Sequence, residues 1–181
     1  GYNGDGQLGD GGTTNATIAT LRSGGSLAGK TITKVFGGPN YAMAIDSAGN
    51  LHAWGTNTTY GNLGNGTVSN QFTPVQSVTG GVSDVYIGQY DYPITYIKKT
   101  DNSLWACGAG NYWANGVSPV DTNTGTFTQI SFGGTGITKA IHGGSGSYNF
   151  GAALLTTGVV RVWGYNGNGA LGVGDTTTRT N

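Results

Sequence analysis

Apolar and polar residues alternate along the chain in short runs, and each run is closed by Gly, Asn, Ser or Pro. A period of two sends successive side chains to opposite faces, so the pattern predicts β-strands and not amphipathic helices. In the first part of the chain it predicts four strands, at residues 18–22, 32–36, 41–46 and 51–54. Asp46-Ser47-Ala48-Gly49-Asn50 and Asp101-Asn102-Ser103 separate neighbouring runs with residues that tolerate positive φ, so they read as hairpin turns.

The pattern recurs. Gly1-Tyr2-Asn3-Gly4-Asp5-Gly6-Gln7-Leu8-Gly9-Asp10-Gly11 returns as Gly164-Tyr165-Asn166-Gly167-Asn168-Gly169-Ala170-Leu171-Gly172-Val173-Gly174, with a clear copy at Gly55-Thr56-Asn57 and Leu63-Gly64-Asn65-Gly66 and a degraded one at Gly108-Ala109-Gly110-Asn111 and Asn115-Gly116. A second marker keeps the same phase: Leu51-His52-Ala53-Trp54-Gly55, Leu104-Trp105-Ala106-Cys107-Gly108 and Val160-Arg161-Val162-Trp163-Gly164. A third precedes it, around Val35-Phe36-Gly37-Gly38, Val85-Tyr86-Ile87-Gly88 and Ala140-Ile141-His142-Gly143-Gly144. Self-similarity at a fixed spacing signals a repeat architecture, and four antiparallel strands per unit describe a propeller blade. The expected fold is all-β, a β-propeller of four-stranded antiparallel blades, with units at 1–54, 55–107 and 108–163 and the start of a fourth at 164–181.

Composition narrows the class further. Of 181 residues 36 are Gly, 9% are charged and all eight acidic residues are Asp, which excludes a helical bundle. The 36% apolar and 10% aromatic content argues against disorder. The formal net charge is zero and no basic stripe is present, so nucleic acid is not an expected partner. No apolar run approaches the ~20 residues of a membrane-crossing helix, so membrane insertion is not expected either. The chain does not start with Met, which suggests a processed chain or a fragment.

The units resemble the RCC1 repeat family (regulator of chromosome condensation type), whose repeat opens G-x-N-x-x-G-Q-L-G-x-G and ends in a strand running into W-G. The first unit carries Gly1, Asn3, Gly6, Gln7, Leu8, Gly9, Gly11, Gly38, Ala44, Gly49, Trp54 and Gly55 at the matching places. The resemblance implies a propeller, usually closed with seven blades, of which about half would be present in this chain. Three departures stand out: Tyr41 where the family often has His, Cys107 where Trp54 and Trp163 stand in the other units, and no Gln-Leu-Gly triplet in the third unit. The family includes nucleotide-exchange factors, enzyme inhibitors, light sensors and extracellular proteins, so membership implies a shape and not an activity.

Candidate chemistry is sparse. Gly24-Gly25-Ser26-Leu27-Ala28-Gly29-Lys30-Thr31 satisfies the phosphate-loop pattern, but a β-branched strand follows it where that motif needs a helix, so it reads as an inter-strand loop. Asn3, Asp5 and Asp10 offer too few carboxylates for a calcium cage and read as turn residues; no metal and no cofactor are expected. His52 and His142 stand apart from any local Ser/Asp pattern, which implies no catalytic residue, although a triad can be assembled in space. Trp54, Cys107 and Trp163, with Leu8, Leu63 and Leu171, are assigned to the core, the two Trp between adjacent blades. Loop aromatics are the binding candidates: Tyr60, Tyr90, Tyr92, Tyr112, Trp113 and Tyr148. Asn15, Asn57 and Asn65 match the glycosylation acceptor pattern.

These features lead first to a non-catalytic recognition module on a secreted, cell-surface or virion-appendage protein, binding protein or glycan. The alternatives are a structural subunit of an extracellular fibre, and an exchange factor or enzyme inhibitor. Three and a fraction blades leave apolar faces open, so either further blades of a longer chain or self-association is expected to cover them.

Overall fold

The computed structural model describes residues 1–19, 21–88, 92–117, 122–144 and 148–180. Strands β1 (Ile32–Gly37), β2 (Tyr41–Asp46), β3 (Leu51–Gly55) and β4 (Gln71–Val78) form one antiparallel sheet in chain order. A second repeats it with β5 (Val82–Ile87), β6 (Ile94–Lys99), β7 (Leu104–Gly108) and β8 (Thr124–Ile130). The third contains β9 (Ile137–Gly143), β10 (Phe150–Leu155) and β11 (Val160–Gly164). Among the described residues the only helical turns are two three-residue 3₁₀ segments, Gly25–Leu27 and Asn111–Trp113. None is long and apolar enough to cross a membrane.

Each sheet is out of phase with the sequence unit. The described residues of the run predicted at 18–22 form no strand, and its Ile18 and Leu21 are 72% and 87% exposed. Its counterparts in the next two units, β4 and β8, pair with β3 and β7, which belong to the units before them. Within these 181 residues no such strand stands ahead of residue 18, so this segment has no hydrogen-bonding edge to join. The same rule applies to the third sheet, where Gly164 and Arg179 exchange backbone bonds of 2.7 and 3.0 Å at the place of the Gly55–Gln71 and Gly108–Thr124 pairs.

The glycine of each W-G or C-G step has a direct steric cause. Gly55, Gly108 and Gly164 sit at φ 104°, 108° and 101°, and a Cβ there would lie 2.4, 2.3 and 2.7 Å from the carbonyl oxygens of Asn40, Pro93 and Asn149. Only glycine lets the chain leave the third strand against the loop between the first two.

Strand alternation builds the core. Met43 and Ile45 of β2 face the second sheet and pack with Leu51, Ala53, Val82 and Ile97. Ala44, one step out of phase, packs on the other face with Trp54 and Leu27. A second cluster joins sheets two and three through Ile94, Tyr96, Leu104, Ile137, Leu155 and Trp163.

Candidate functional site

The long segment that enters each unit is wedged against the following sheet through one backbone carbonyl. Trp54 Nε1 donates to Gln7 O at 2.9 Å, and Trp163 Nε1 donates to Ala114 O at 3.1 Å. In the middle unit Cys107 Sγ donates to Asn62 O at 3.4 Å, and Thr95 Oγ1 donates to the same oxygen at 2.8 Å. Cys107 is fully buried, and desolvation pushes its thiol pKa well up, so it stays protonated and serves as a donor. Trp54, Trp163, Leu63 and Leu171 are buried as well. Leu8 is only half-buried; its segment covers the face of the first sheet that carries Trp54, and no further sheet lies on that segment among the described residues.

Buried asparagines hold these segments in shape. Asn3, Asn57 and Asn166 are fully buried, and each side-chain oxygen accepts from the backbone N–H of the leucine that follows, Leu8, Leu63 or Leu171, at 2.8 to 2.9 Å. Their amide groups donate across the turn, Asn3 to Asp10 and Asn166 to the Asp175 carbonyl. Asp10 and Asp175 are thus spent on turn hydrogen bonds, chiefly from the Gly12 and Thr177 amides, which hold both carboxyls below their usual pKa. The third unit places Gly110 where Asn57 stands, since Gly110 N donates to Asn123 Oδ1 as Asn57 N does to Asn70 Oδ1. Asn57 is closed to glycosylation by burial, Asn65 Oδ1 is engaged by Asn57, and Asn15 is exposed.

His52 is not isolated. Its Nδ1 lies 2.8 Å from Ser26 Oγ and its Nε2 lies 3.2 Å from Asp46 Oδ2, with the His52 and Asp46 side chains 0% and 2% exposed. Burial alone would raise the Asp46 carboxyl pKa. Hydrogen bonds from Asn50, His52 and Ala48 outweigh burial and hold it well below the usual carboxylate range. Compared with a serine-hydrolase relay the ring is reversed, with serine on Nδ1 and the carboxylate on Nε2, and it is wholly enclosed. The arrangement satisfies a buried imidazole and ties the Gly24–Thr31 segment to the first sheet. That segment forms a 3₁₀ turn and not the start of an α-helix. Sequence reasoning missed the three residues as a group because they are brought together only by the turn and the sheet. Among the described residues no three His, Cys or Asp side chains are grouped as a metal site.

The loop aromatics gather at one end of the sheets. Loops β1–β2, β5–β6 and β9–β10 and the segments leaving β3, β7 and β11 all emerge there, because the first and third strands of each sheet run the same way. Tyr60 packs on Tyr92 with ring centroids 5.4 Å apart. Tyr112 lies 6.2 Å from Tyr148 and 5.1 Å from Tyr165, and Tyr148 lies 4.6 Å from Tyr165. Tyr112 and Tyr148 are 37% and 51% exposed, while Tyr165 and Trp113 are half-buried. Tyr112 and Trp113 are both held at positive φ, 53° and 57°. Tyr90 lies outside the described residues. Tyr165 was not among the sequence candidates, although its repeat partner Tyr2 follows an equivalent glycine and pointed to that place. Beside Tyr60 the same end carries a cleft of about 350 Å³, lined by Pro39, Asn40, Tyr41, Thr56, Thr58, Thr59, Tyr60 and Pro93.

No protein-family model matches the chain. The chain is 30% identical over 152 residues to the E3 ubiquitin-protein ligase HERC2 of Homo sapiens, covering 82% of its own length and 3% of the ligase. The crystal structure of human WBSCR16 superposes with a TM-score of 0.75 at 24% identity, over 99% of this chain and 46% of that one. Prp20p from Saccharomyces cerevisiae, described with its binding to Gsp1p and histones, gives a TM-score of 0.68 at 17% identity, over 85% of this chain and 38% of Prp20p. The chain therefore spans less than half the length of each of these proteins. Repeat spacing, sheet order and these likenesses agree that the chain is built of RCC1-like repeats, folded as blades of an RCC1-like β-propeller.

Proposed function

We propose that the chain is a non-catalytic recognition module that engages a protein or a glycan through its aromatic loop end. The observation that carries this reading is the Tyr112, Tyr148 and Tyr165 cluster, three rings held together on the loop surface of a rigid sheet scaffold. Tyrosine offers large contact area at low entropy cost together with a hydroxyl at its tip, which suits a binding surface. Positive φ at two adjacent aromatic residues supports the same reading, because such strain persists where the surroundings dictate a side-chain position. Protein binding by Prp20p, described for Gsp1p and histones, supports a protein partner for a propeller of this shape. An extracellular or virion-surface setting is part of the proposal, supported by the low charge and the abundance of Gly, Thr and Asn.

The test is binding of the purified chain to protein and glycan arrays. Tyr148→Ala is expected to lose the strongest signals and to leave the melting temperature unchanged, since the ring is half exposed. Retained binding in both Tyr112→Ala and Tyr148→Ala, or ordered self-assembly with no ligand at all, would refute the reading.

A further inference from the structure

We infer that the cleft between the first two blades is a binding site for an uncharged sugar ring. The inference rests on the recognition reading above and gives one part of that surface its ligand class.

Its lining combines an aromatic face and two proline rings, Tyr60, Pro39 and Pro93, with the amide of Asn40 and the hydroxyls of Thr58 and Thr59. Among the described residues no charged side chain lines it. A sugar ring presents C–H groups on its faces and hydroxyls at its rim, and this mixture meets both. A phosphate, a sialic acid or an acidic peptide would bring a charge that none of these described lining residues neutralises. At about 350 Å³ the cleft falls at the small end of ligand sites, which run from roughly 300 to 1,000 Å³.

Two further observations place unusual chemistry at this cleft. Thr59 has φ 73°, a left-handed conformation that a β-branched residue rarely adopts, and Asn123 Nδ2 of the next blade holds its carbonyl at 3.1 Å. Thr56 Oγ1 is buried without a hydrogen-bond partner among the described residues. So is Oδ1 of Asn62, which is not itself part of the lining but whose Nδ2 donates to the carbonyl of the lining residue Thr56 at 2.9 Å. Groups of this kind are uncommon in folded chains and call for an explanation. Sugar hydroxyls both donate and accept, so they match a wall that offers hydroxyl and amide groups together.

Saturation-transfer NMR and calorimetry with neutral hexose and N-acetylhexosamine di- and trisaccharides test the site, with sialylated trisaccharides alongside. At least one neutral saccharide is expected to bind the unaltered chain. Tyr60→Ala should weaken it by about tenfold or more. Thr59→Gly removes a wall side chain while suiting the backbone, so it should keep the fold and still weaken binding. Tyr148→Ala should leave saccharide binding unchanged, which separates this cleft from the tyrosine cluster. The inference is overturned if no neutral saccharide binds at ~1 mM, if only sialylated ones bind, or if Tyr148→Ala abolishes binding while Tyr60→Ala spares it. Protein binding that depends on Tyr148, found without saccharide binding, would overturn the cleft alone and leave the recognition reading standing.

Discussion

The seam between the first and second sheets and the seam between the second and third are built on one plan with different side chains. At the first, the wedged carbonyl is Asn62 O and its donors are small, Thr95 and Cys107. At the second it is Ala114 O, and its donors are the rings of Tyr96 and Trp163, whose centroids stand 5.8 Å apart. Ile87 packs on Gly38 at the first seam, and His142 packs on Gly88 at the second. At the loop end the first seam opens into the cleft beside Tyr60, while Tyr112, Tyr148 and Tyr165 crowd the corresponding place at the second. What the repeat conserves is therefore a backbone carbonyl and the demand that something donate to it. The ring volume around that bond is free to vary, and the variation decides whether a seam is open or filled.

The sharpest way to break this comparison is Trp163→Ala. It removes the largest fully buried side chain and one donor to Ala114 O, and is expected to cost about 3 to 5 kcal/mol in chemical denaturation. A loss too small to resolve would show that the second seam does not depend on its rings.

His142 should make the second seam pH-sensitive where the first is not. Burial lowers its pKa to about 4, and its Nε2 has no partner among the described residues. The unfolded chain takes up this proton near pH 6.5 and the folded chain only near 4. Stability is then full above about pH 6.5 and falls as pH drops toward 4, by up to about 3 kcal/mol. His142→Ile copies Ile87 of the first seam and should flatten stability over that window; an unchanged pH profile would refute the assignment.

The smallest expected effect is that of Cys107→Trp, which gives the first seam the residue that the other two units carry at this position. Phe127 already reaches over Gly64 there, so close that a Cβ on the glycine would lie 2.2 Å from its ring. The added indole should therefore overpack and cost about 1 to 3 kcal/mol. A gain in stability would mean that the first seam has room for the ring after all.

Much of this was legible in the chain itself. The short runs bounded by Gly, Asn, Ser or Pro gave β1, β2 and β3 nearly residue for residue, because runs and turn residues are local features of the chain. The glycine after Trp54, Cys107 and Trp163 was equally legible, as no other residue fits its φ and the carbonyl beside it. The loop aromatics other than Tyr165 could be named, but the grouping of Tyr60 with Tyr92 and of Tyr112 with Tyr148 and Tyr165 could not, since each group joins different blades.

What the tertiary structure alone decided is which strand completes which sheet and what meets across a seam. Residues 18–22 have the sequence of a strand, and the described ones among them have none of its structure, because a strand exists only where a neighbouring edge offers hydrogen bonds. Ser26, His52 and Asp46 meet for the same kind of reason, through a sheet face covered by a distant segment. Sequence period fixed the parts and their spacing; non-local pairing and burial fixed their partners, and with them every candidate site on the molecule.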